Sequence, residues 1–345
     1  MSLIEREARR FRAAVLRGDT DAARRLMDAY RDVYHRLTVE LDAALEALGE
    51  ARSGGGPVSP ARIYRVERIR AFRDQAAAEL TRYGVAAKGI IDEQVDTTRR
   101  QAVEGAARMV GAVTPPGVTA STTLLNVGAI DQAVANLTPR GPLARLFATF
   151  GQEGADALGR ALVTGVATGH GPDAVARDMR RVLAGQPVRA VTIARTEIMR
   201  AHREAARETF RREPTVRAWV WVAGLGSRTC ASCWAQHGSV HPLDEAMASH
   251  PRCRCVMAPV TVPWSDLGFP GLAEPDPVPA GPDLFAAAPE SVQRMVLGPS
   301  KFAAYQRGDV RLEDFVATRT SLTWGRSTSE GSLRAARAKA ARRAS

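Results

Sequence analysis

Cysteine is scarce in this chain of 345 residues: there are four, and all fall between Cys230 and Cys255. Aromatic side chains make up only 6% of it. No run approaches the ~20 apolar residues needed to cross a bilayer, which excludes a helical membrane span. Met1 to Arg10 is charged throughout and lacks the apolar core and cleavage site of a signal peptide. These absences predict a protein made and used in a reducing cytoplasm, where clustered cysteines read as metal ligands before they read as disulfides.

What is abundant points to helices. Ala and Arg are frequent, and both lose little on entering a helix. Apolar residues reach 45%, so the chain is globular, and its length allows two or three modest domains. The net charge is +11. Nearly half of that excess lies at the end, where Arg326, Arg334, Arg337, Lys339, Arg342 and Arg343 face only Glu330. A basic balance raises the expectation of a polyanionic partner such as DNA. The remaining charge is spread over mixed helical faces, the pattern of solvated surface.

Periodicity divides the chain. Ser2 to Leu48 is helical, interrupted at Gly18-Asp19, where Asp19 or Thr20 caps a second helix with the apolar face Leu26, Tyr30, Val33, Leu37, Leu41, Leu45. Gly49 is a stop, and Ser53 to Pro57 a flexible turn. Ser59-Pro60 starts a long helix with the face Ile63, Val66, Ile69, Phe72, Ala76, Leu80, Tyr83, Ala87, Ile90. It continues past Gly84 and Gly89 to Met109, and packs on the first as a helical hairpin over 1–113. Thr114-Pro115-Pro116-Gly117 is a break. Further helices are predicted over 122–137, 142–168, 172–183 and 187–211, separated by Gly169-His170-Gly171 and Gly185-Gln186-Pro187. From Val216 the period changes to two. Val216, Ala218, Val220 and Val222 face one way and Trp219 and Trp221 the other, a half-buried strand. Cys255 to Val260 is a second strand, at an edge near Pro259, and Gly238 to His241 a short third. Residues 263–290 read as a linker, 291–320 as a small helical unit and 321–345 as a basic tail. The fold class is therefore mainly α with a small β-hairpin and zinc-knuckle subdomain (α+β), a domain over 118–262 whose core is 187–260.

Cys230-Ala231-Ser232-Cys233 is followed, after nineteen intervening residues, by Cys253-Arg254-Cys255, with His250-Pro251 just before. Each pair can grip one metal ion with two sulfurs, and zinc takes four tetrahedral S/N ligands. The alternatives are a reduced, metal-free apolar cluster or disulfides. Cys253 and Cys255 are read as pointing to opposite faces of an extended chain, so that His250 can replace one of them. The expected set is Cys230, Cys233, Cys255 and either Cys253 or His250. A structural Zn2+ needs a closed shell; a catalytic one needs an open position and a base, for which His237 and His241 are at hand. Both are otherwise loop surface, and His170 a surface residue of a turn. Trp219, Trp221 and Trp234 can stack on bases or build a small core.

The same residues resemble the phage Mu protein F-like family of minor head (head morphogenesis) proteins. Ile193-Ala194-Arg195-Thr196-Glu197 is similar to the family's IARTE helix. After it come the Trp219-Val220-Trp221 strand, Arg228-Thr229-Cys230-Ala231-Ser232-Cys233, Gly238 to Leu243, and His250-Pro251-Arg252-Cys253-Arg254-Cys255, in the family's order. One departure is Gly226-Ser227, where members often carry Asp; its role is lost or moved to Ser227. Leu297 to Phe302 and Gly308 to Leu312 resemble a segment that many members carry after the knuckle. An acid on the helix and arginines flanking the cysteines predict a pair between Glu197 and Arg228 or Arg254, tying helix to knuckle.

The resemblance implies a non-enzymatic structural protein of the virion, in the capsid interior or at the portal vertex, made in the bacterial host's cytoplasm. Its implied partners are the portal protein, the major capsid protein and packaged double-stranded DNA, the last met by Arg334, Arg337, Lys339, Arg342 and Arg343. Its implied task is head assembly or DNA ejection. The alternative is a zinc-dependent nuclease with His237 or His241 as base. A DNA-binding regulator ranks last, since no helix follows the cysteines to enter a groove. The ~85 residues after Val260 are too few, and too linker-like, for an ordinary enzyme domain.

Overall fold

The computed structural model describes residues 2–53, 67–118, 146–168, 170, 172–321 and 325–344. The elements in order are α1 (Leu3–Ser53), α2 (Glu67–Val113), α3 (Phe150–Ala167), α4 (Pro172–Arg212), β1 (Val216–Val222), α5 (Ala231–Gln236), β2 (Val240–Pro242), β3 (Val256–Thr261), α6 (Gly281–Ala286), α7 (Glu290–Gln306), a 3-10 turn (Leu312–Phe315), β4 (Val316–Ser321), β5 (Gly325–Glu330) and α8 (Leu333–Ala344). The chain is mainly α with small antiparallel sheets, as its composition predicts. The Ser59-Pro60 helix start, the 54–57 part of the expected turn and the helix expected over 122–137 lie outside the described residues.

The compact units are not consecutive stretches of chain. One comprises Met1–Gly18, Val95–Pro139 and Ile198–Ser345; the other comprises Asp19–Gln94 and Arg140–Glu197. The second is helical. Leu26, Leu37, Leu41, Leu80, Phe150 and Leu158 are among its fully buried apolar residues. Tyr83 meets Tyr30 edge-on at 4.9 Å between ring centroids.

Two expected breaks are absent. Helix α1 runs unbroken through Gly18-Asp19 and past Gly49. A lone helical Gly costs only about 1 kcal/mol against Ala, less than the apolar face around it contributes. Asp19 caps nothing; it is buried and spoken for elsewhere in its unit. Helix α4 likewise runs through Gly185-Gln186-Pro187. Pro187 has no N–H for the carbonyl one turn back, that of Leu183. The hydroxyl of Tyr30 donates to that carbonyl at 2.8 Å. A side chain on another helix thus supplies the bond that the proline removes. The break at Thr114 to Gly117 is present, closed by Val118 N–H on the Pro115 carbonyl at 3.1 Å with Gly117 at φ +88°.

The other unit holds a three-stranded antiparallel sheet in the order β2-β1-β3. Trp219 pairs with His241 on one side and Pro259 on the other, so β3 is an edge strand as its proline requires. Strand β1 is not half-buried: Trp219, Val220, Trp221 and Val222 are all buried. It is the central strand, covered on both faces, and its alternation separates two dry sides rather than wet from dry.

The C-terminal stretch also departs from expectation. Residues 263–280 carry no helix or strand, yet Trp264 is buried with its indole N–H on the Val113 carbonyl at 3.2 Å. Helix α6 lies inside the expected linker and buries Phe285 completely. The Ala/Arg-rich end is not a tail: β4 and β5 form a hairpin, and α8 buries Ala336. Small apolar side chains at helical spacing sufficed to pack it, which its charge masked.

Candidate metal centre

Four cysteines and one histidine meet in the first-named unit. Cys230 and Cys233 are brought together by α5, whose first turn starts at Cys230 with Trp234 N–H on the Cys230 carbonyl at 3.0 Å. His250 and Cys253 are brought together by a tight turn, closed by Cys253 N–H on the His250 carbonyl at 3.1 Å. Pro251 suits the second position of such a turn, while Arg252 takes the left-handed conformation at φ +64° that usually falls to Gly. Cys255 follows two residues on. Residues two apart on an extended chain share a face, so the expectation that Cys253 and Cys255 diverge is corrected. Both are buried beside Cys233.

The donor atoms form two triads, Cys230-Cys233-His250 and Cys233-Cys253-Cys255, each with its atoms within 4.8 Å of one another. Cys233 belongs to both. Its Sγ lies 3.7 Å from that of Cys253, and His250 Nε2 lies 3.4 Å from the sulfurs of both Cys230 and Cys233. Zinc–sulfur and zinc–nitrogen bonds of about 2.3 and 2.0 Å in a tetrahedron put two sulfurs about 3.8 Å apart, and sulfur and nitrogen about 3.5 Å apart. The donors therefore stand at the edge lengths of a tetrahedral metal site. The cysteines are free thiols.

The surroundings prepare these groups. His250 Nδ1 donates to the Pro251 carbonyl at 2.8 Å, which turns Nε2 toward the sulfurs, where a bound metal would take the place of its proton. Ligating histidines are commonly fixed this way. The Cys230 thiol is drawn down to about 5, first by its contact with Cys233 and then, against burial, by His250. Burial opposes the His250 cation, yet contact with Cys230 and Cys253 raises it to about 11. Cys253 is held well below the usual thiol value by Cys233 and Cys255, with help from the Arg203 charge. Cys233 is pushed up by its sulfur neighbours. Cys255 is pushed up as well: contact with Cys233 lowers it, but Cys253 and burial outweigh that. The neighbouring sulfurs and His250 thus favour thiolate at Cys230 and Cys253, the form a metal needs.

Helix α4 holds the knuckle through two arginines that the motif reading passed over. Arg203 Nε donates to the Cys255 carbonyl and Nη2 to the Cys253 carbonyl, each at 3.0 Å, and Nη1 donates to Ser249 Oγ. One turn on, Arg207 Nη1 donates to the Leu243 carbonyl at 3.1 Å. Their only sequence signal is a spacing of four on one helix face. Of the expected motif residues, Arg195 Nε donates to both carboxylate oxygens of Asp19, at 2.9 and 2.7 Å, in a nearly buried pair within the helical unit. Thr196 Oγ1 donates to the Thr192 carbonyl of its own helix at 2.7 Å. Glu197 is buried and Arg228 exposed, an unequal setting for the pair expected of them, while Arg254 is half-buried. At the Gly226-Ser227 departure the backbone carries the turn: the Gly226 carbonyl accepts from Thr229 N–H and from the Trp234 indole, and Ser227 is exposed.

The two histidines offered as bases lie outside both triads. His237 is not loop surface: it is 1% exposed, and its Nδ1 accepts the Ala223 N–H at 3.0 Å. Burial lowers it to about 4, against the pull of Glu5. His241 is partly exposed, stacks on Trp219 at 4.3 Å and bonds Ser239 and Glu245. All three tryptophans are buried, so none offers a face to a base.

A family model described as phage Mu protein F like protein matches residues 156–258. This stretch is similar to that family. The match takes in α3 from residue 156 onward, the Arg195-Thr196-Glu197 helix, the Trp strand and all five donors, and so confirms the resemblance read from the motifs. The family is one of phage head morphogenesis proteins. No curated protein and no solved structure matches the chain. Within the Mu F-like stretch the five donors form a site that can hold a metal ion.

Proposed function

We propose that this chain is a structural minor head protein of a tailed phage or phage-like particle. In this reading it sits in the capsid interior or at the portal vertex, contacts the portal and major capsid proteins, and aids head assembly or DNA delivery. One zinc ion, held by Cys230, Cys233, His250 and Cys253, staples the small sheet; Cys255 is the surplus thiol. The observation that carries the reading is that the Mu F-like match coincides with a buried cluster offering more donors than zinc can use. Such a shell closes without water, as structural zinc sites do. Fractionating particles from an induced lysate tests the placement. The chain is expected in purified heads at a few copies; recovery only with soluble protein contradicts it.

Packaged DNA is the proposed polyanionic partner, met by α8 and its hairpin. Arg343 pairs with Asp314 at 2.6 Å, Arg337 lies 3.5 Å from Asp309, and Lys339 donates to the Val316 carbonyl. Arg334 and Arg326 are exposed and carry charge outward, and Arg342, next to Arg343, is exposed as well. Reversing charge at Arg326 and Arg334 should flatten the salt dependence of DNA binding by about two phosphate contacts. An unchanged slope rejects this surface.

A further inference from the structure

Helix α5 carries Cys233 into the metal cluster and, on the same six residues, Ala231 and Trp234 into another core. That core belongs to the C-terminal module: Ala231 and Trp234 pack with Phe285, Leu297, Phe302 and Phe315. The Trp234 ring meets Phe285 edge-on at 5.2 Å. A six-residue helix has no stability of its own, since isolated helices shorter than ~12–15 residues are marginal in water. It is held only by what lies on either side.

Backbone ties join the knuckle loop and the module as well. Ala231 N–H, which has no partner within its helix, donates to Glu330 Oε2 of β5 at 3.2 Å. Gly281 N–H donates to the His237 carbonyl at 2.8 Å, and Thr328 N–H to the Ala248 carbonyl at 2.9 Å. The approach is close enough to need glycine: a Cβ on Gly281 would stand 1.8 Å from the Trp234 carbonyl oxygen, and one on Gly238, at φ +80°, 2.4 Å from that of Pro279.

We infer that the metal centre is the keystone of the whole C-terminal module, Gly281 to Ala344, and that metal binding and the folding of this module are one cooperative event. The inference rests on the metal reading above. Losing the ion frees Cys230 and Cys233, α5 frays, and Trp234 and Ala231 leave the module's core with it. By linkage the effect runs both ways: loosening the module's core weakens the metal.

Hydrogen exchange on the full chain under reducing conditions, with bound zinc and after chelation, tests this when metal content is measured on the same samples. Chelation is expected to lower amide protection at least tenfold across Glu290–Gln306 and Val316–Glu330, while Glu67–Gln94 keeps its protection. Phe315→Ala is expected to bind zinc at least fivefold more weakly in a competition titration. Should that variant not fold, Glu330→Gln, which removes the carboxylate charge facing Ala231 N–H, decides with an expected loss of about twofold. Zinc bound but module protection indifferent to its removal overturns this inference alone. Wild-type zinc affinity in the deciding variant does the same. A chain that takes up no zinc while its module stays protected overturns both this inference and the metal reading.

Discussion

Arg195 and Asp19 make the ion pair whose loss should be felt most in the helical unit. The Asp19 side chain is 2% exposed and that of Arg195 11%. Removing one partner strands a buried charge, at a cost of about 3–5 kcal/mol, whereas removing both leaves none. Asp19→Ala and Arg195→Ala should each lower the unfolding free energy by roughly that amount, and the double variant by clearly less than their sum. Simple additivity in denaturant unfolding contradicts the pair. Arg203 plays a different part, fixing two carbonyls of the cysteine strand. Arg203→Ala should weaken zinc binding about 10–100-fold, the range for groups that orient ligands. Arg203→Lys should not restore it, because an ammonium lacks the planar fork. Rescue by lysine in a competition titration would show charge alone to be at work. His202 is buried against Phe11, both ring nitrogens lack hydrogen-bond partners among the described residues, and burial lowers it to about 3. Its folded-state pKa lies below the unfolded value near 6.5, so the unfolded chain takes up the proton first. The stability from keeping it neutral is full above about 6.5 and is lost as pH falls toward 3. His202→Leu should therefore flatten the stability–pH curve between those values; an unchanged curve contradicts the assignment.

Among the elements, α4 shows what sequence rules could and could not read. Its start at Pro172, its IARTE segment and its end before β1 were legible from capping residues and period. Its continuity through Pro187 was not, because the compensating group, the Tyr30 hydroxyl, is 157 positions away in the chain. Asp19 was misread for the same reason: beside a glycine it resembles a cap, and its partner Arg195 is equally remote. A double-variant cycle tests the Pro187 account. Tyr30→Phe leaves the Leu183 carbonyl short of a donor and should cost about 1–2 kcal/mol. In a Pro187→Ala background the helix supplies its own N–H, and the same change should cost much less. Equal costs in both backgrounds contradict it.

Over the whole molecule, the chemistry-bearing stretch was the more readable part. Cysteine spacing and the order of motifs located the cluster and its family, since ligands close in sequence fold locally. The module after it was not readable. Its core is built from single apolar residues spread from Ala231 to Ala336, and its last helix hides one buried face beneath arginines. Cys230, Cys233, His250 and Cys253 are proposed to hold one structural zinc ion. Metal analysis of the purified full chain under reducing conditions, followed by cobalt substitution, tests it most directly. About one zinc per chain, replaced by cobalt with the visible absorption of a tetrahedral site and intense sulfur charge transfer, is the predicted result. Fewer than about half a zinc per chain, with no tetrahedral cobalt spectrum, would contradict it.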